Sequence, residues 1–387
     1  MRIGFDAKRA VQNNTGLGNY SRFIIEALSE YYPDNTYFLF APKRKVNARL
    51  NTLISRPNVA FIFPSGISKL LPSLWRIFGS KKNINKNGVE IFHGLSNELP
   101  VNIHSTGVKT VVTVHDLIFI RYPQYYRWID RQIYLWKFRR ACLKADVIIA
   151  VSECTKRDII SFFRIAEEKI KVVYQDCHPD FKRPVSEEKR KQTADKHRLP
   201  KRFILYVGSI EQRKNLLLAV KALRQIPEEI HLVAIGKSTP YQLEIEKYAH
   251  ETGLESRLHI KNDFPFEDLP AVYQSAAVFV YPSFFEGFGI PVIEALSCGV
   301  PVIAATGSCL EEAGGQDSVY VNPLDDAELA DKIREILENP DLAKKMTERG
   351  LEYVKRFDSR RIAEKIMDIY MIYTTAMRLI SSGVSVA

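Results

Sequence analysis

Two carboxylates, Glu286 and Glu294, stand on either side of a glycine-bearing turn in FFEGFGIPVIEALSCG, Phe284 to Gly299. A carboxylate accepts hydrogen bonds and donates none, so such a pair suits vicinal hydroxyls like those of a sugar or a ribose. The element that would position them can be read from the flanking residues. SAAVFVYPS, Ser275 to Ser283, is an apolar, β-branched run of the kind that forms a buried parallel strand. Gly287 and Gly289, with Phe288 between them and Ile290 after, let the backbone turn sharply and come close to a ligand. Pro291 suits a first helical position, where its missing N–H costs nothing. Strand, turn and helix in this order point free N–H groups and a positive dipole end at an anion. Glu286 would reach over that ligand from the loop, and Glu294, about one turn in, would lean back toward it. On this window alone that reading is no better than a plainer one, in which Glu286 is a solvated loop acid and Glu294 a favourable first-turn helix acid.

A second window supplies cations. YVGSIEQRKNLLLAVKAL, Tyr206 to Leu223, reads as another strand, turn and helix, with Gly208 at the turn and Arg213-Lys214-Asn215 at the helix start. Cations at a helix N-terminus oppose the dipole, so a negative group is expected between Arg213 and Lys214. A diphosphate leaving group would satisfy both cations and the dipole. The alternative, a solvated charge pair, belongs later along an exposed helix face.

Together these windows resemble the retaining glycosyltransferases of the GT-B fold, specifically glycosyltransferase family four (group 1). The resemblance rests on the E-x7-E element of EGFGIPVIE and on the RKN helix start, and extends over nearly the whole chain. It implies an α/β protein of two Rossmann-like domains with parallel sheets facing a central cleft and a C-terminal helix crossing back to the first domain. It further implies a retaining, metal-independent hexosyltransferase. Glu286 would hold hydroxyls of the transferred sugar and Glu294 the donor ribose. Arg213 and Lys214 would bind the diphosphate beside Gly208, Gly287, Phe288, Gly289 and Ile290. In GSCLEEAGG, Glu312 matches a glutamate that usually follows a proline, and Glu311 stands in that proline's place.

The length allows two domains with sizeable cores, and the composition is that of a soluble globular protein. No apolar run approaches a membrane span, and the N-terminus enters a strand directly, so no signal peptide is expected. The cysteines, Cys142, Cys154, Cys177, Cys298 and Cys309, lack metal-ligand spacing. They read as reduced thiols of a cytoplasmic protein, with no cofactor and no metal expected. Charge is uneven: residues 1–175 hold 27 Lys and Arg against 13 Asp and Glu, a net +14, which leaves −4 for the remainder. A basic surface of that kind attracts membranes, nucleic acid or anionic substrates.

Alternating strand and helix signals predict parallel sheets covered on both faces. Strands are expected at Arg2–Asp6, Thr36–Phe40, Val59–Phe63, Glu90–His93, Thr110–Val114, Val147–Val151 and Lys171–Tyr174. The first domain is set at residues 1–180, a Pro-punctuated linker with a solvated helix at 181–202, the second domain at 203–358 and the terminal helix at 359–380. The second domain repeats the pattern from Phe203 through His231–Ile235, Leu258–Ile260, Val278–Tyr281, Val300–Ala304 and Ser318–Val321. Ligands should bind at the carboxyl ends of the strands. The tail SSGVSVA reads as disordered.

In the first half, Gly16-Leu17-Gly18 precedes a helix with apolar spacing at Phe23, Ile24, Ala27 and Leu28. It nearly matches a dinucleotide fingerprint, but Ser21 replaces the third glycine and TYFLFAP ends without the acid that would bind a ribose. A nicotinamide enzyme is therefore disfavoured. The resemblance instead brings this loop to the donor phosphate or the acceptor, with Gly16 and Gly18 as cleft residues. His115 and Asp116, in TVVTVHDLIFIRYP, directly follow a strand. A histidine there beside an acid is a candidate for substrate contact, and the resemblance sets it against the transferred sugar. His93, in IFHGLSNELP, has a similar place on the acceptor side. Asp116 reads as a catalytic acid or a helix cap, and Ser152 as a phosphate or acceptor contact or an N-cap.

Two stretches mix aromatic, apolar and cationic residues: KLLPSLWRIFGSKK, Lys69 to Lys82, and RYPQYYRWIDRQIYLWKFRR, Arg121 to Arg140. The first reads as an interfacial segment. In the second, Trp128, Tyr134, Trp136 and Phe138 read as membrane-facing or as core and dimer contacts. Peripheral association with an anionic inner membrane face is expected, and nucleic acid is not, since no binding module accompanies these stretches. The expected reaction is hexose transfer from a nucleotide diphospho-sugar to a glycan or polyprenyl-diphosphate-linked acceptor in cell-surface polysaccharide or lipopolysaccharide assembly. TVHDL and EGFGIP look most like mannosyltransferases, which makes GDP-mannose the first donor to consider. The alternatives are a nucleotide-sugar epimerase of the same fold and a catalytically silent glycan- or nucleotide-binding scaffold.

Overall fold

Short apolar runs become strands β1 (Arg2–Asp6), β2 (Thr36–Phe40), β3 (Val59–Ile62), β4 (Ile91–Gly94), β5 (Lys109–Val114), β6 (Val147–Ala150) and β7 (Ile170–Val172). A second series follows: β8 (Phe203–Val207), β9 (His231–Ile235), β10 (Leu258–Lys261), β11 (Val278–Tyr281), β12 (Val302–Ala305) and β13 (Val319–Val321). The computed structural model describes residues 1–45 and 48–381. The expected disordered tail lies, from residue 382 on, outside the described residues.

All strands pair in parallel, in the orders β3-β2-β1-β4-β5-β6-β7 and β10-β9-β8-β11-β12-β13. Every residue of β4, β6, β11 and β12 is buried. Successive side chains point to opposite faces, so both faces of each sheet are covered at these strands. In each sheet the winding reverses once, between β1 and β4 and between β8 and β11. These are the switch points where loops splay apart and leave room for a ligand.

The chain divides into two compact units, Met1–Gln175 with Ser359–Ala387, and Asp176–Asp358. The terminal helix Ser359–Ser381 thus belongs with the first unit, as the resemblance implied. There Tyr370 is fully buried and its hydroxyl lies 2.6 Å from His93 Nδ1.

Two boundaries differ from expectation for identifiable reasons. Residues 181–202 are not a free linker: the helix Glu187–His197 is tied down by the buried Asp268. That carboxylate accepts from Lys189 (3.0 Å), Lys196 (2.6 Å) and His197 (2.8 Å). The helix is mostly exposed, as expected, and what the sequence conceals is the tether to Asp268, which is remote along the chain. Strand β12 starts at Val302 because the Val300 N–H closes the preceding helix onto Ala295 O (3.0 Å) and Pro301 has no N–H to give.

Candidate active site

In the second unit the chemistry-bearing residues leave β8 and β11, the two strands at the switch point. After β8, a Cβ on Gly208 would lie 3.3 Å from Lys214 Cδ and 3.4 Å from the Tyr206 hydroxyl, so the glycine makes room for the lysine. Gln212–Lys214 form a single 3-10 turn, and Asn215, at φ 57°, redirects the chain into the helix Leu216–Ala222. Arg213 and Lys214 therefore precede that helix and do not start it, a correction to the sequence reading. Asn215 is held in its left-handed conformation by Nδ2 bonds to the carbonyls of Pro282 (3.0 Å) and Pro323 (2.8 Å).

The negative group beside the two cations is the protein's own Glu286, where the sequence reading places a diphosphate. Its Oε1 lies 2.9 Å from Arg213 Nη1 and 3.5 Å from Lys214 Nζ. It also accepts from Tyr281 (3.1 Å) and Ser283 (2.9 Å). Lys214 Nζ donates to the Tyr281 hydroxyl at 2.8 Å, and Arg213 Nη1 donates to the Phe285 carbonyl. Burial alone would raise the Glu286 pKa, but Lys214 and Arg213 overcome it and hold the acid at about 2. It is a fixed carboxylate at neutral pH.

Beyond Glu286 the loop needs its glycine. Gly289 sits at φ 115°, and a Cβ there would stand 2.8 Å from Leu310 Cδ2. The helix Ile290–Ser297 follows, with Pro291 in its first turn. The Cys309 thiol fastens the loop from below, donating to the carbonyls of Glu286 (3.0 Å) and Phe288 (3.1 Å). Phe288 is buried, its ring edge-on to Phe357, so its backbone and not its side chain is available to a ligand. Glu294 accepts from the Tyr273 hydroxyl at 2.8 Å. Burial lifts its pKa to about 7, against the pull of that hydrogen bond and of Lys214. The two glutamates that look alike in sequence therefore differ in charge state near neutrality. Glu311, in the proline's place, accepts from the Thr306 hydroxyl (2.6 Å) and the Gly307 N–H (3.2 Å) and so closes its own turn.

In the first unit, Gly18 is sterically required, because a Cβ there would meet Asn13 O at 1.9 Å. Gly16 opens the helix Gly16–Tyr31 and has nothing within 4 Å of its Cβ position. His115, just past β5, is held from several sides. Its N–H donates to Asn97 Oδ1 (2.8 Å), and its carbonyl accepts from Thr155 Oγ1 (3.2 Å). Its Nε2 lies 2.9 Å from the Leu95 carbonyl. A carbonyl can only accept, so the proton sits on Nε2 and Nδ1 is left as an acceptor. Burial lowers the ring's pKa to about 4, so it is neutral at physiological pH. Asp116 accepts from the Ile118 N–H (3.1 Å), closing a local turn ahead of the short helix Ile118–Arg121, whose N-cap position is taken by Leu117. Ser152 is buried at the start of the helix Glu153–Phe163, where it accepts from the Thr155 N–H (3.0 Å) as a cap.

His93 departs from its expected acceptor-side place. It is fully buried, with Nδ1 2.6 Å from the Tyr370 hydroxyl and Nε2 2.8 Å from Thr113 Oγ1. A ring with both nitrogens taken and burial lowering its pKa to about 3 is a packing residue. His93→Phe is expected to lower stability by about 1–3 kcal/mol, since it strands the buried Tyr370 hydroxyl and leaves Thr113 with Tyr20 alone. Turnover per folded molecule should stay within roughly twofold, because packing residues act on stability and not on chemistry. Urea melts beside initial rates check this; a collapse of turnover in a folded variant would return His93 to the site.

Sequence reasoning overlooked Asn97, Thr155, Tyr273, Tyr281 and Cys309. Asn97 carried a signal, since asparagine tolerates the φ of 63° it adopts after β4. Tyr281 and Tyr273 looked like ordinary core residues. Among the described residues no three His, Cys, Asp or Glu gather to hold a metal ion, and no helix is long and apolar enough to cross a membrane.

Two parallel Rossmann-like sheets, one with paired cations and carboxylates at its switch point, define an α/β protein of GT-B type. Residues 186–353 match the family model of glycosyl transferases group 1, and residues 16–175 match that of Glycosyltransferase Family 4. The chain belongs to this glycosyltransferase family. It is similar to O-antigen chain mannosyltransferase B of Escherichia coli, 29% identical over 73% of this chain and 74% of that protein. It is also similar to O-antigen chain mannosyltransferase RfbU of Salmonella typhimurium, 24% identical over 90% of this chain and 94% of that one. Its fold is like that of HepE from Anabaena, solved in complex with UDP, with a TM-score of 0.76 and 17% identity over 96% of this chain and 99% of that one.

Proposed function

We propose that this protein transfers a hexose, with mannose the first candidate, from a nucleotide diphospho-sugar to a hydroxyl of a glycan or polyprenyl-diphosphate-linked acceptor. The setting is cell-surface polysaccharide or lipopolysaccharide assembly, on the cytoplasmic side. Anomeric configuration is retained and no metal is required. The observation that carries this reading is the cluster of Arg213, Lys214 and Glu286 at the β8/β11 switch point. The curated mannosyltransferases it resembles and the UDP-bound neighbour support it from outside.

In this reading, C–O cleavage leaves positive charge on the anomeric centre and negative charge on the departing β-phosphate oxygen. Arg213 and Lys214 stabilise that oxygen, which is where a metal would otherwise act. Glu286, ionised throughout, accepts from sugar hydroxyls, and Glu294 accepts from the ribose. Gly289 and the turn before the helix Ile290–Ser297 let backbone N–H groups approach the phosphates. The neutral His115 presents Nδ1 as an acceptor, the form needed to take a hydrogen bond from a sugar hydroxyl; its assignment to the transferred sugar rests on the resemblance.

The test is melting temperature against a panel of nucleoside diphosphates and nucleotide sugars. A ligand at 100 times its Kd should stabilise by about 2.7 kcal/mol, a shift of several degrees. One nucleotide series alone is expected to give it, and Arg213→Ala to reduce the shift with the free nucleoside diphosphate more than with the nucleotide sugar. Absence of any shift across the panel, with or without acceptor, would replace the transferase by a scaffold.

A further inference from the structure

The helix Trp128–Lys144 is apolar on two opposite faces. Its inner face, through Tyr134, Phe138, Ala141 and Cys142, packs around Phe119 on the β5–β6 side of the core. Its outer face carries Trp128, Ile129, Ile133, Trp136 and Leu143, all largely exposed, with the two indoles 68% and 58% exposed. Trp128, Gln132, Trp136, Arg139 and Leu143 follow helical spacing down a single stripe. A second apolar stripe on a helix is normally covered as the first is.

A second apolar segment is strapped to this helix. Glu98 accepts from Arg76 (2.6 Å) on one side and Lys137 (3.4 Å) on the other. The Val101 N–H donates to Ile77 O (2.9 Å), and the Val101 carbonyl accepts from Arg140 (2.7 Å). Leu74 and Phe78, on this strapped segment, are each about half exposed. Arg140 also lies over the Trp136 ring, 6.0 Å from its centroid. Around these apolar groups, residues 121–144 carry seven Lys and Arg against one acid, Asp130, and residues 66–89 carry five and no acid.

We propose that this face docks on an anionic lipid surface. Indoles favour the headgroup level, and long cationic side chains reach from an apolar surface to phosphate. A cluster of cations beside buried apolar area is the combination that holds a peripheral protein at an anionic leaflet. A second copy is a poor occupant. A two-fold interface would set these cations against the same cations of the partner. The inference stands apart from the transferase reading, because lipid binding needs neither donor nor acceptor.

The full chain is mixed with phosphatidylcholine vesicles with and without phosphatidylglycerol, and bound protein is read by flotation and tryptophan emission. Trp75 is buried, so a blue shift reports on Trp128 and Trp136. Binding should be roughly tenfold or more tighter with the anionic lipid and weaken with salt. Trp128→Ser with Trp136→Ser should reduce it at least about tenfold, at an unchanged melting temperature. Arg139→Gln with Lys144→Gln should weaken anionic binding alone, by several-fold. The proposal fails if the wild type ignores anionic vesicles or if the tryptophan pair makes no difference. It also fails if sedimentation finds a wild-type dimer that the same pair dissociates, which would give the face to a second copy.

Discussion

Arg213→Ala is expected to lower kcat by roughly two to three orders of magnitude, and Lys214→Ala by a similar amount, in proteins that still fold. Each cation stands against the carboxylate that anchors the switch-point loop, and each would meet phosphate charge that grows only as the glycosidic bond breaks. An interaction strengthened in the transition state appears in kcat more than in KM. The fold should survive either change. Without Arg213, Glu286 keeps Lys214, Tyr281 and Ser283; without Lys214, it keeps Arg213, Tyr281 and Ser283. Arg213→Lys is the informative intermediate: it retains a charge but loses the planar fork whose Nη1 meets both Glu286 and the Phe285 carbonyl and whose Nη2 lies 3.6 Å from Glu211, so partial activity is expected. Single-turnover rates with circular dichroism as the fold control decide the matter. Unaltered turnover in both alanine variants would remove the leaving-group role.

Why these cations were legible and their surroundings were not follows from the range of the forces involved. Strands β1, β2, β9 and β11 were placed to the residue, because a parallel strand buried on both faces is a continuous β-branched and aromatic run. Gly289 was legible because a turn before Pro291 demands it. The conflict between two cations and a helix dipole called for a diphosphate, whereas the carboxylate that meets both cations is Glu286, remote in sequence. The same conflict assumed the wrong helix start, because the turn at Asn215 depends on carbonyls of Pro282 and Pro323, far along the chain. Tyr281 and Tyr273 were invisible for a related reason. Each lies in an apolar stretch that burial alone explains, and only the fold shows that their hydroxyls touch Glu286 and Glu294. His93 shows the converse error: a strand-end histidine was read as chemistry when Tyr370, on the terminal helix, was its partner.

Glu294 yields the other large effect, and its sign separates stability from function. Its folded-state pKa of about 7 lies above the ordinary 4.5, so the fold favours the protonated acid. The unfolded chain releases that proton first, and stability from this group is therefore lost as pH rises from about 4.5 to 7. The loss is at most about 3 kcal/mol, reduced where water reaches the carboxyl. His93 and His115 slope the other way below pH 6.5, because both are neutral in the fold at pKa values of about 3 and 4. The effect must accordingly be read as a difference. Glu294→Gln should match the wild type near pH 5 and exceed it by up to about 3 kcal/mol at pH 8, in urea melts without ligand. In the proposed role nucleotide affinity should move oppositely: two ribose hydroxyls donating together are met best by an ionised, acceptor-only carboxylate, so wild-type binding tightens through pH 7 while the glutamine variant stays weak throughout. Parallel melting curves from pH 5 to 8 would show that Glu294 is ionised in the fold already. Crossed curves for stability and affinity would identify an acid kept at a cost to the fold because the donor requires it.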